Sequence, residues 1–307
     1  MHRHKHETGQ ILKWSFLATV LFVLIELIAG IRAGSLALIS DSGHNFTDAL
    51  SLVLASIGLY LESRPADSVK TYGYHRAGVL TAFVNALTLM GVAVFIFYEA
   101  WQRFLHPRHV AEWTMFWVAL AALALNSAVM WGLHRDKDHD LNIRAAFLHM
   151  MGDAISSLAI VAAAVLIHFT GLNVIDPLLS VLIGALIIWT AWDIIQESLN
   201  VLLEGLPRGM ELNRVMEAMR KVEGVIDVHD LHIWSLGSSA HALSCHVLIE
   251  DMPPSESNSI LQRINELLCT FHIHHTTVQF EHTKCALSEA PCTILVATHE
   301  HEHEPHS

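Results

Sequence analysis

The stretch SLALISDSGHNFTDALSLVLASIGLYL, residues 35–61, decides how the chain is read. It is long enough to cross a bilayer, which takes about 20 apolar residues. Yet its first half carries Asp41, His44 and Asp48. An ionisable group at bilayer depth costs at least ~2.5 kcal/mol, so such residues face a bundle or cavity and mark function by default. His44 and Asp48 stand four residues apart and share one helix face. A second stretch, IRAAFLHMMGDAISSLAIVAAAVLIHFT at residues 143–170, repeats the pattern with His149 and Asp153. A single intramembrane histidine is more often a hydrogen-bond partner between helices than a ligand. Two copies of one pattern on separate spans favour the metal reading. Facing each other, they offer two imidazoles and two carboxylates, a donor set suited to tetrahedral Zn²⁺. Co²⁺, Cd²⁺ or Fe²⁺ also fit such donors.

Around these two stretches the 307-residue chain is 52% hydrophobic and only 16% charged, which excludes a wholly soluble enzyme. Six spans are predicted: Leu12–Arg32, Ser35–Leu61, Ala77–Phe104, Trp113–Leu133, Ile143–Thr170 and Asp176–Asn200. The N-terminus lacks the small-residue cleavage site of a signal peptide, so the first span is expected to remain as an anchor. Arg3, Lys5, Lys13, Arg64, Lys70, Arg76, Arg135, Lys137 and Arg144 fall on one side, and Arg32, Arg103 and Arg108 on the other. The positive-inside rule then puts both termini in the cytosol. Asp41, one turn before His44, reads as a gateway carboxylate or an outer partner of the site. Glu26 in the first span reads equally as a structural hydrogen-bonder or a functional group. Gly43, Gly152, Ala154, Ser156 and Ser157 let helices approach closely.

From about Leu206 the pattern changes. Met210–Val222 has helical spacing, Val225–Leu236 and Ala240–Glu250 read as strands, a second helix ends near Phe271, and Thr276–Glu281 reads as a last strand. The order αββαβ predicts a small α+β domain with helices on one face of a sheet. Residues 1–11 form a His-rich cytoplasmic N-terminus, 12–205 the transmembrane domain and 206–285 the cytoplasmic domain. Residues 286–307 form a Cys- and His-containing tail too polar to bury a core. The 23 histidines exceed the 18 Lys and Arg together. Those at the two ends, and the loop from His134 to Asp140, read either as weak metal capture or as solvated chain. The net charge of −12 argues against a nucleic-acid partner. Four cysteines are too few for a disulfide framework.

At these residues the sequence resembles the cation diffusion facilitator family, in its bacterial zinc-efflux branch. The resemblance rests on residues 34–48, Tyr72-Gly-Tyr-His-Arg-Ala77, Ala82-Phe-Val-Asn-Ala86, residues 141–153, Asp176-Pro177, Leu202-Leu-Glu-Gly205, Asp230-Leu-His-Ile-Trp234 and Thr277-Val-Gln-Phe-Glu281. It implies a homodimeric, proton-coupled metal antiporter in the cell inner membrane, with six spans and a cytoplasmic domain similar to small metallochaperones. It places the transport site at His44, Asp48, His149 and Asp153, with Zn²⁺ as both cargo and regulator. It puts a cytoplasmic metal site at His232, His246, His274 and Glu281, and Cys285 and Cys292 resemble a metal-binding pair. Arg76 and Glu204 match a charge pair that ties the halves of the membrane domain in relatives. Asp67 matches one ligand of an extra loop site, but Lys70 and Tyr74 stand where that site has histidines, with His75 out of register, so the loop site is expected to be missing.

Two other classes would carry different signatures. A membrane metalloprotease would want His-Glu-x-x-His on a helix with an open metal position, and this chain has that string only at residues 299–303, in the polar tail. The expectation is therefore that the protein is no enzyme. A membrane-anchored metal sensor or storage protein would explain cytoplasmic sites but not paired ligands deep in two spans.

Overall fold

A computed structural model describes residues 19–134, 141–237 and 240–283. The His-rich ends, the start of the first span, Cys285, Cys292 and the loop 135–140 lie outside the described residues. The chain divides into two units, residues 1–65 with 77–199, and residues 66–76 with 200–307.

Among the described residues the first unit is helical. It comprises α1 (residues 19–33), α2 (Leu36–Glu62), α3 (Ala77–Leu105), α4 (Glu112–Leu133), α5 (Leu141–Thr170) and α6 (Ile175–Leu202). Four of these helices, α3 to α6, are long and apolar enough to cross a membrane by composition alone. The described part of α1 is too short to qualify, and α2 is diluted by Asp41, His44, Asp48 and its serines. Large apolar side chains such as Trp117, Phe169, Leu182 and Trp189 point outward, as they do on a lipid-facing surface. The interior is built from small and branched residues, among them Ala37, Ala93, Ala119, Ile160, Ala163, Ala164, Ile183 and Ala191. Small residues let backbones come close where no hydrophobic force drives helices together. The closest packing joins α2 to α3 and α4 to α5, and α2 touches α5 at only a few positions.

A buried polar clamp fixes the start of α2. Gly34 takes φ +66° to turn the chain out of α1, a left-handed value that glycine adopts without strain. The first N–H groups of α2 have no helical acceptors of their own. Asp176, fully buried in the first turn of α6, supplies them: its Oδ2 accepts from Leu36 N at 2.6 Å and its Oδ1 from Ala37 N at 3.2 Å. The Ser35 hydroxyl donates to Asp176 Oδ1 at 2.6 Å, and its oxygen accepts from Leu38 N. Arg103 of α3 pairs with Asp176 at 3.3 Å and also donates to the Gly34 carbonyl. Arg103, counted in the sequence as an outer-loop charge, is thus a buried pin between α2, α3 and α6.

The second unit has α7 (Leu212–Arg220), β1 (Asp227–Ser235), β2 (His241–Leu248), α8 (Pro254–Cys269) and β3 (Ile273–Glu281), the αββαβ order expected. The sheet order is β1-β2-β3, with β1 antiparallel and β3 parallel to β2. A parallel neighbour needs a crossover, and α8 provides it. Val215 and Met219 of α7, Ile260, Ile264 and Leu268 of α8, and Val228, Ile233, Leu243, Cys245 and Val247 of the sheet form one core. The β1–β2 register breaks between His229 and His232, where Asp230 takes φ +51°. Such a bulge adds a residue and reverses the alternation. Val228 is buried before it, and Leu231 and Ile233 after it.

Candidate metal centre

On α2 and α5 the two His-x-x-x-Asp pairs face each other. His44 Nε2 lies 3.6 Å from Asp48 Oδ2 and 3.6 Å from Asp153 Oδ1. His149 Nε2 lies 3.4 Å from Asp48 Oδ2 and 3.6 Å from Asp153 Oδ2. Four ligands about 2.0–2.2 Å from one zinc ion stand about 3.3–3.6 Å apart along the tetrahedron's edges. The four His–Asp spacings are of this length, with Asp153 reaching His44 by Oδ1 and His149 by Oδ2. The ligand atoms of His44, Asp48 and Asp153 lie within 4.8 Å of one another. His149 reaches both carboxylates but stands outside that tighter group, with its ring centroid 6.3 Å from that of His44. Asp48 Oδ2 is buried without a hydrogen-bond partner among the described residues, as expected of a group shaped for an ion.

Two cross-helix bonds flank this set. The Ser156 hydroxyl of α5 donates to Asp41 Oδ1 of α2 at 2.7 Å, so Asp41 is an outer partner. The Asn45 amide of α2 donates to Glu26 Oε2 of α1 at 3.2 Å. Ser156 entered the sequence reading only as a small residue, and Asn45 did not enter it. Nothing in helical spacing tells a packing serine from a bonding one.

In the second unit the structure gathers a different cluster from the expected one. His246 Nδ1 lies 3.0 Å from Glu281 Oε1, and His229 Nε2 lies 3.1 Å from Glu281 Oε2. The His229 and His246 rings stand 5.5 Å apart. Both ring nitrogens of His229 and Glu281 Oε2 are buried without a well-aligned hydrogen bond among the described residues. Two imidazoles and a carboxylate that converge with unsatisfied atoms fit a metal ion. Within one chain, His232 and His274 do not join them. His232 is 59% exposed and bonds Asp230 at 2.9 Å, and His274 is exposed on β3. The cause is the β1 bulge: His229, not His232, is the register partner of His246, and His232 pairs with Ser244. The signal was present in the sequence, as a histidine three residues earlier, but the bulge that selects it was not.

Asp67 caps its own loop. It accepts from Val69 N and Lys70 N, each at 2.7 Å, and from the Tyr74 hydroxyl at 2.9 Å. These donors, Lys70 N–H first, hold its carboxyl below the usual range. Arg76 and Glu204 meet at 3.1 Å. Both belong to the second unit, where the pair links the 66–76 loop to the segment after α6. At 35% and 64% exposure it contributes no more than ~1 kcal/mol. Burial, with Asp230 nearby, pushes the Cys245 thiol up to about 12.

Comparison with known proteins agrees with both units. The cation efflux transmembrane domain matches residues 12–203, and the cytoplasmic domain of cation efflux proteins matches residues 207–283. A cadmium, cobalt and zinc/H(+)-K(+) antiporter of Bacillus velezensis is 37% identical, over 91% of this chain and 91% of its own. The zinc transporter ZitB of Pectobacterium atrosepticum is 38% identical, over 92% of this chain and 90% of its own. The metal cation efflux system protein CzcD of Cupriavidus metallidurans is 37% identical, over 94% and 92%. Helical spans, a small α+β domain and near full-length similarity lead to one conclusion: the chain belongs to the cation efflux family, the cation diffusion facilitators, whose members are multi-pass membrane metal transporters.

Proposed function

We propose that the protein exports Zn²⁺ from the cytosol in exchange for protons, through His44, Asp48, His149 and Asp153. The spacing of these four ligands, 3.4–3.6 Å around the carboxylates, is the observation that carries the reading. Cd²⁺ and Co²⁺ use similar donors and are further cargo. Binding requires neutral imidazoles and ionised carboxylates, so metal and protons compete for the site. Facing the cytosol, metal displaces protons. Facing outward, protons displace metal, and the inward proton gradient drives the cycle. Imidazole, with an unperturbed pKa of about 6.5, takes and yields a proton near working pH more readily than a carboxylate. The light contact between α2 and α5 allows the two ligand pairs to shift against each other as the site changes access.

Both termini face the cytosol in this reading, and the protein works as a homodimer in the inner membrane. In the second unit, His229, His246 and Glu281 bind regulatory zinc. From Leu206 onward the chain has 14 acidic and 6 basic residues, 14 − 6 = 8 net negative charges, so two copies repel. Metal bound at their contact would offset that repulsion and favour the joined state. The deciding experiment is flux into proteoliposomes. A pH gradient drives zinc uptake, and His149→Ala abolishes it. Gradient-driven uptake that survives His149→Ala refutes the site, and zinc binding without flux favours a sensor or storage protein.

A further inference from the structure

Glu26 and Asp41 are not among the four proposed ligands, yet they are deeply buried. Glu26 of α1 is 0% exposed and Asp41 of α2 is 3% exposed. Asn45 donates to Glu26 Oε2, and Ser156 donates to Asp41 Oδ1. Glu26 Oε1 is buried and receives no donor among the described residues. The Asp41 carboxyl stands within hydrogen-bonding reach of the Glu26 carboxyl. Neither carboxyl forms an ion pair with His44 or His149. The charged groups that face the pair are His44 of α2 and Asp153 of α5, and the neutral ones are Asn45 and Ser156.

Ionised carboxylates only accept hydrogen bonds. Two of them face to face away from water would leave Glu26 Oε1 unsatisfied and bring like charges together. One proton removes both defects. The O–H of a carboxylic acid is the donor that Oε1 or its partner oxygen lacks, and the charge of the pair falls from −2 to −1. We propose that Glu26 and Asp41 form an acid–carboxylate pair that holds one proton while the transport site is empty and releases it when metal binds.

The coupling is electrostatic. Asp41 lies three residues before His44, and its partner Ser156 lies three after Asp153, so the pair borders the ligand set on both helices. A divalent cation there favours the fully ionised pair. One O–H bond breaks, the proton leaves to water, and two carboxylates remain beside the added charge of the metal. The step reverses when the metal departs. This inference rests on the transport reading of the four ligands, and it assigns one exchanged proton to residues that do not touch the metal.

The test uses the full chain in detergent. Zinc binding is measured by calorimetry in buffers of different ionisation enthalpy, which counts the protons released per metal. Glu26→Gln keeps the shape and turns an amide N–H toward Asp41. It should still bind zinc but release about one proton fewer than the unaltered chain. In infrared difference spectra the unaltered chain loses a carboxylic-acid C=O band on zinc addition, and Glu26→Gln lacks that change. If Glu26→Gln does not fold, Asp41→Asn gives the same two readouts. An unchanged proton count, or an acid band that persists in the variant, overturns the proposal. Failure of the transport reading looks different, because zinc uptake would then survive His149→Ala whatever the Glu26 variant does.

Discussion

Replacing Asp176 with alanine should unfasten the start of α2, the helix that carries half of the proposed transport site. The carboxylate accepts from Leu36 N, Ala37 N and the Ser35 hydroxyl, and pairs with Arg103. Losing a helix cap costs about 0.5–2 kcal/mol. Removing one partner of a buried ion pair costs about 3–5 kcal/mol, since the other charge stays buried. Arg103 is only 6% exposed but keeps Glu99 at 3.3 Å, which places its share at the lower end. The sum is about 3.5–5 kcal/mol, a large part of the stability of any domain. Asp176→Asn keeps an acceptor for the helix and loses only the charge, so it should cost less, about 1–3 kcal/mol. The assay is equilibrium unfolding of the full chain in mild detergent. A loss of under ~0.5 kcal/mol for Asp176→Ala, the size of an ordinary surface change, would refute the clamp.

Three further outcomes follow from the second unit. His229→Ala should weaken zinc binding there by more than the ~10–100-fold typical of losing an outer partner, and His232→Ala should not; equal effects in zinc titrations would reject the cluster. Cys245, with its thiol pushed up to about 12, should resist alkylation at about pH 8 while exposed Cys269 reacts, as read by peptide mass spectrometry. Asp67 has a depressed pKa in the folded loop, so its contribution is complete above its unfolded value of about 3.9 and is lost as pH falls through the folded one. Hydrogen exchange at the Lys70 amide should therefore differ between Asp67→Ala and the unaltered chain at neutral pH, and the gap should close in acid; a gap independent of pH would count against the cap.

The proposed transport set was legible because helical geometry is local. Residues four apart share a face whatever surrounds the helix, so His44 with Asp48 and His149 with Asp153 could be paired from spacing. The cytoplasmic cluster was only half legible. His246 and Glu281 were named, but the family resemblance pointed to His232, and the register break at the Asp230 bulge sets His229 opposite His246 instead. Asp176 was visible only as part of a motif, since its partners at the start of α2 lie 139–141 residues away.

The sequence by itself determined the class of protein: apolar runs of spanning length, a polar αββαβ unit after them, and two matched His-x-x-x-Asp pairs within those runs. These follow from hydropathy and periodicity, which each segment carries alone. The tertiary structure decided which groups meet between segments. It set the His-Asp pairs of α2 and α5 within 3.4–3.6 Å of each other, tied Asp41 to Ser156, brought Glu26 to Asp41, and placed His229 beside His246. Contacts of that kind depend on helix rotation and strand register, which long-range packing fixes and no local pattern encodes.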